Sequence, residues 1–139
     1  MDYRKKPAKD LVKQVQMAIN GEYSAIKCYE KLAALAPTEE ERKQIMEIRN
    51  DEISHFKQLV HLYTGITGID PKPVQTEICE DQYKMGLEAA LKDEQHTVDF
   101  YLSIADETIN PTARHFFKRA AKDEQQHALW FLYYFVKNK

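Results

Sequence analysis

Asp51-Glu52-Ile53-Ser54-His55 and Asp123-Glu124-Gln125-Gln126-His127 share one pattern, Asp-Glu-x-x-His. Residues three apart on a helix lie on one face, so each stretch would offer a carboxylate beside an imidazole. Two further glutamates keep register with them: Glu22 lies 30 residues before Glu52, and Glu94 lies 30 before Glu124. The second half is the first shifted by 72, so Glu22, Tyr29, Asp51, Glu52 and His55 map onto Glu94, Tyr101, Asp123, Glu124 and His127. Taken singly, each Glu would read as a side chain reaching for water, and each His as a hydrogen-bonded core residue. Their common register sets them apart. Four ionised glutamates balance two divalent cations, and two neutral imidazoles complete the shell at little net charge. A Glu on each of two helices plus Glu-x-x-His on two others is the pattern of a two-metal carboxylate site. Hard oxygens with two nitrogens suit Fe(II) or Mn(II) better than a thiolate-bound zinc. Glu22, Glu52, His55, Glu94, Glu124 and His127 are therefore the candidate metal-ligating and catalytic residues.

Four helices must position them. Thr38 and Glu41 have capping-box spacing, and Asn110-Pro111 reads as an N-cap followed by Pro at the first helical position. Pro7 can sit in a first turn. The Gly- and Pro-containing stretch 64–74 reads as non-helical. Helices are expected near 8–36, 38–63, 79–108 and 111–137. Apolar residues recur in steps of three and four along each: Leu11, Val15, Ala18, Tyr29 and Leu32; Ile45, Ile48, Leu59 and Leu62; Leu87, Ala90, Tyr101 and Ile104; Phe117, Ala120, Phe131 and Tyr134. The gaps in these seams hold the six candidates and Thr97. Four such seams predict an all-α four-helix bundle. A two-fold axis relating the hairpins would make helices 2 and 3 parallel. Residues 64–78, at roughly 3.3 Å each, can then carry the chain back along the bundle.

The bulk numbers bound the alternatives. A length of 139 residues suits a single domain, 1–139, with one core. A net charge of −2 implies no general pull on nucleic acid or membrane, and the basic Tyr3-Arg4-Lys5-Lys6 reads as a solvated tail. The longest apolar run, 128–136, is too short to span a bilayer. Cys28 and Cys79 form no C-x-x-C, so each is expected as an unpaired, partly buried side chain in a reducing, cytoplasmic setting. His96 lies about 100° round the helix from the candidate face, and His61 and His115 carry no signal. Trp130, Leu132, Tyr133 and Phe135 surround the last seam and predict an interface, hence a homodimer or larger homo-oligomer.

The segments Gly21–Tyr29, Asp51–His55, Asp93–Tyr101 and Asp123–His127 resemble the ferritin-like superfamily, and within it the rubrerythrin-like group. The likeness covers nearly all of 8–137. It implies a ferritin-like bundle with a long crossover between helices 2 and 3. It also implies two iron ions per chain, with Mn possible, held by Glu22, Glu52, His55, Glu94, Glu124 and His127. Glu52 and Glu124 would bridge the two ions. Asp51 and Asp123 would hydrogen-bond the ring N–H of the histidine on the neighbouring Glu-x-x-His helix, or else lie on a solvated helix face. Tyr29 and Tyr101 would relay an electron or simply satisfy their hydroxyls in the core. Rubrerythrins carry an extra Glu where Thr97 stands, and usually append a rubredoxin-like domain with paired C-x-x-C that supplies electrons. The resemblance here is to the di-iron part without that domain, so an external electron donor is expected. The implied activity is an oxidoreductase reducing hydrogen peroxide or O2. A ferroxidase or iron-handling protein, and a protein that metal merely stabilises, remain the alternatives.

Overall fold

The computed structural model describes residues 8–139, and side chains from Leu11 onward. It holds four helices: α1 Ala8–Leu35, α2 Glu39–Thr67, α3 Tyr83–Glu107 and α4 Pro111–Lys137. The basic 3–6 stretch and Pro7 lie outside the described residues. Thr38 caps α2 by accepting from the Glu41 N–H, and Asn110 caps α4 by accepting from the Ala113 N–H just ahead of Pro111 in the first turn. Two boundaries differ from expectation. Helix α2 runs past 63 to Thr67, with Gly65 inside the helix rather than ending it. The stop comes at Gly68, whose φ of 76° supplies the left-handed turn and whose N–H bonds to the Thr64 carbonyl. Helix α3 starts at Tyr83 rather than 79. Residues just before it are held against α1, Cys79 by a disulfide to Cys28 and Asp81 by an ion pair with Lys31.

Two apolar clusters give the topology. One joins Val15 and Ile19 near the start of α1, Leu59 and Leu62 near the end of α2, Tyr101 and Ile104 near the end of α3, and Phe117 near the start of α4. The other joins Tyr29 and Leu32 late in α1, Ile45 and Ile48 early in α2, Leu87 and Ala90 early in α3, and Phe131 and Tyr134 late in α4. So α2 and α3 run parallel, as the sequence predicted, and the chain must return along the outside of the bundle. Helix α1 packs chiefly on α2, and α3 on α4, while α1–α3 and α2–α4 form the narrower seams.

The return segment, 68–82, follows α1 turn by turn. Gln16 donates to the Lys72 carbonyl, the Val74 N–H to Asn20 and the Thr76 N–H to Ser24. Next come the Cys28–Cys79 disulfide and the Lys31–Asp81 pair. The expectation of unpaired cysteines is thus corrected. Fifty-one positions separate the two in sequence, and only the parallel topology brings the strap past Cys28. The expectation of a reducing setting loses the support of free thiols. Among the described residues no helix is long and apolar enough to cross a membrane.

One buried carboxylate ties three elements together at the far end. Glu41 accepts hydrogen bonds from the Thr38 hydroxyl, the Tyr83 hydroxyl and the Asn138 amide. Burial alone would raise its pKa, but those donors outweigh it and hold the carboxyl below its usual value. Glu41→Ala should cost about 2–4 kcal/mol in urea unfolding, since it strands the Tyr83 and Asn138 donors. A loss below about 0.5 kcal/mol, the range of an ordinary surface substitution, would show that these donors find water instead.

Candidate metal centre

The seam gaps meet in the middle of the bundle, between the two apolar clusters. Glu22, Glu52, His55, Glu94, Glu124 and His127 are all at least 97% buried. Their ligand-capable atoms form two overlapping groups. One is Glu22, Glu52, His55 and Glu124; the other is Glu52, Glu94, Glu124 and His127. The groups share Glu52 and Glu124. His55 Nδ1 lies 3.3 Å from Glu22 Oε2 and 3.1 Å from both Glu52 Oε1 and Glu124 Oε1. His127 Nδ1 lies 3.4 Å from Glu94 Oε2, 3.7 Å from Glu52 Oε1 and 3.5 Å from Glu124 Oε1.

A cation would repair what this arrangement leaves unpaired. Glu22 Oε1, Glu52 Oε1, His55 Nδ1, Glu94 Oε2, Glu124 Oε1 and His127 Nδ1 are buried and lack a well-aligned hydrogen-bond partner. Each of the six residues contributes one such atom. Buried polar atoms without partners are rare, and a matched set facing one centre is what a metal-binding shell requires. The residues present therefore fit a pair of hard divalent ions.

The opposite edges of these side chains are held. His55 Nε2 lies 2.9 Å from Asp123 Oδ2, and His127 Nε2 lies 2.8 Å from Asp51 Oδ2. A carboxylate oxygen accepts, so it fixes the neutral ring with its N–H on Nε2 and leaves the Nδ1 lone pair facing the cluster. Each aspartate thus reaches the histidine of the other Glu-x-x-His helix, as the resemblance implied. The Tyr29 hydroxyl donates to Glu94 Oε1 at 2.5 Å and the Tyr101 hydroxyl to Glu22 Oε2 at 2.6 Å. Burial, then the facing carboxylates, pushes both phenol pKa values well up, so both hydroxyls keep their protons to donate. Tyr29 packs on Phe131 and Tyr101 on Phe117, which fixes the rings. Asp51→Asn should weaken the ion nearest His127, and Asp123→Asn the ion nearest His55, each by about 10–100-fold with helicity unchanged. Mn(II) titration of the two variants would detect this, and unchanged affinity would make the aspartates a surface feature only.

Without metal, like charges crowd the centre. Burial and then Glu124 raise the Glu52 carboxyl well above its usual value, and the same causes raise Glu22 and bring Glu94 to about 8. Burial opposes charge on the imidazoles, but the carboxylates outweigh it and push His55 and His127 up to about 11. Burial likewise opposes ionisation of Glu124, but those two histidines hold it below the usual carboxylate range.

A cavity of about 200 Å³ between α1 and α3 leads to this centre. Glu22, Glu94 and Thr97 line it, and the strap residues Glu77 and Cys79 border it with Cys28. Thr97 donates its hydroxyl to the Asp93 carbonyl of its own helix. Partial desolvation beside the cavity and the neighbouring Asp93 carboxylate push the Glu77 carboxyl up to about 7. His61, His96 and His115 are exposed and outside the cluster. Sequence reasoning missed the disulfide and Glu41. The signal for the former was the polar stripe Gln16, Asn20, Ser24 and Cys28, one residue per turn beside the apolar seam.

The rubrerythrin family model matches residues 13–134. A protein of Bacillus subtilis (strain 168) named "Uncharacterized protein YhjR" is 56% identical over 135 residues, covering 97% of this chain and 92% of the relative. A hypothetical protein from Pyrococcus furiosus superposes with a TM-score of 0.77 at 20% identity, over 91% of this chain and 88% of that one. A two-domain protein from Anabaena variabilis, with DJ-1/ThiJ/PfpI-like and ferritin-like domains, superposes with a TM-score of 0.75 at 17% identity. That match covers 95% of this chain and 37% of the other. At such identities the two structures speak for the fold alone.

Proposed function

The chain belongs to the rubrerythrin family, and from that premise we propose that its Glu–His cluster holds two iron ions, with Mn as the alternative, and reduces hydrogen peroxide or O2. The observation that supports this most is the set of six inward-facing buried atoms without partners. When bound, the ion pair supplies two electrons, one from each Fe(II). The chain supplies everything else. Glu52 and Glu124 face both histidines and would hold the ions together. Tyr29 and Tyr101 restrain the outer carboxylates of Glu94 and Glu22. The apolar clusters on either side exclude bulk water, and the cavity between α1 and α3 gives a small oxidant its approach. Glu77, with its carboxyl brought to about 7, can hold a proton beside that approach near neutral pH. Reduction of the spent centre falls to an external electron donor.

Thr97 favours one second reading. With no seventh carboxylate at that position, the six-residue site also suits a ferroxidase that oxidises Fe(II) for storage or transfer. Anaerobic loading with two Fe(II) per chain, followed by rapid mixing with peroxide or O2, separates the two. Much faster oxidation by peroxide supports peroxide reduction. Faster oxidation by O2 that continues with added Fe(II) supports iron handling. No reaction with either oxidant leaves a structural metal and overturns the redox reading.

The assembly is also proposed to be a homodimer or larger homo-oligomer in the cytoplasm. Leu129, Leu132, Tyr133 and Val136 leave an exposed apolar strip along α4. Trp130 and Phe135, expected in that strip, instead pack onto the cluster around Tyr134.

A further inference from the structure

The strap that closes the cavity has almost no core of its own. Residues 68–82 form neither helix nor strand, and Ile69, Val74 and Ile78 are exposed. Its attachment to α1 is a short row of hydrogen bonds up to Thr76, then the Cys28–Cys79 bond, then the exposed Lys31–Asp81 pair. Exposed ion pairs contribute little in water. Between Thr76 and Asp81 the disulfide is the link to α1 that the described residues show. Both cysteines are half-buried and border the cavity, so a small thiolate can reach them.

We propose that Cys28 and Cys79 form a thiol-exchangeable latch, a redox site that pins the strap over the cavity mouth and that a dithiol reductant releases. The incoming thiolate attacks one sulfur of the pair, forming a mixed disulfide and expelling the other cysteine as a thiolate, which takes up a proton. The reductant's second thiol then displaces the remaining cysteine, which is protonated in turn. Two electrons pass to Cys28 and Cys79, and the reductant leaves as its own disulfide. Oxidation of the two thiols by the reverse exchange recloses the strap. The latch has no counterpart in the second half of the repeat. Shifting Cys28 by 72 reaches Phe100, so the device belongs to the α1 side of the mouth alone.

Dithiothreitol applied to the folded, metal-free protein tests this. Thiol titration without denaturant should rise from zero to two per chain, and return to zero with oxidised dithiothreitol. Amide hydrogen exchange over 74–82 should accelerate by about 10-fold or more on reduction while the α2 and α4 cores keep their protection. The Cys28→Ser/Cys79→Ser protein should show the fast strap with or without reductant; if that variant does not fold, the reduced native chain carries the comparison. Thiols that appear only in denaturant overturn the proposal, as does strap exchange that ignores reduction. The readout needs no metal, so a cluster that bound none would sink the function proposed above and leave this result standing.

Discussion

Glu52→Gln or Glu124→Gln is expected to abolish binding of a metal pair, whereas Glu22→Gln or Glu94→Gln is expected to weaken one ion and spare the other. The asymmetry follows from the two overlapping groups. Glu52 and Glu124 belong to both, while Glu22 belongs only to the group of His55, and Glu94 only to that of His127. Losing a shared carboxylate therefore removes a ligand from both ions and leaves their mutual repulsion less screened. Gln keeps the volume, so lost binding cannot be blamed on a cavity. The loss should exceed the roughly 10–100-fold expected when an outer hydrogen-bond partner is removed. Anaerobic Fe(II) or Mn(II) titration would count ions per chain in all four variants. Two ions retained in Glu52→Gln or Glu124→Gln would sink the site assignment. Equal losses in all four would sink the division into shared and unshared ligands.

The same asymmetry shows what could be read from the chain alone. The six cluster residues were legible because burying ionisable groups is costly, so they break an apolar seam conspicuously and in register. The parallel α2 and α3 were legible because a repeated hairpin needs a long return. Thr38 and Asn110 were legible because capping is local chemistry. What stayed hidden depends on which surfaces meet across the fold. Cys28 and Cys79 are joined only because the strap runs down α1, and no local spacing encodes that path. Glu41 looked like one of three acidic residues in a first turn, yet Tyr83 and Asn138 arrive from other helices to bury it. The end of α2 was misplaced because Gly65 and Gly68 carry the same letter and opposite roles, one helical and one left-handed.

Divalent metal is expected to raise the melting temperature, and by more as pH rises. The metal-free centre favours protons. Carboxyls of Glu22, Glu52 and Glu94 are all raised from 4.5, Glu94 to about 8. A group raised on folding contributes stability that is full below its unfolded value and is lost as pH climbs through its folded value. The three carboxyls therefore stabilise the metal-free fold below pH 4.5; Glu94 loses that contribution on the way to about 8, and Glu22 and Glu52 lose theirs as pH climbs through their own raised values. His55 and His127 act in the same sense, with full effect below 6.5 and loss toward about 11. Glu124, depressed below 4.5, contributes the opposite way, and its stabilisation disappears only on acidification below that value. From about pH 5.5 to 8.5 the metal-free protein should consequently become less stable. Metal binding needs the carboxylates ionised and Nδ1 of both histidines bare, so it expels protons and strengthens over the same interval. Ligand present at 100 times its Kd adds about 2.7 kcal/mol per site, and at 1,000 times about 4.1 kcal/mol. Melts at pH 5.5, 7 and 8.5, with and without Mn(II), would measure the widening gap in a metal that needs no exclusion of air. A gap that stays constant or narrows would mean that the metal does not take the place of protons in this cluster. The buried charge would then need another partner.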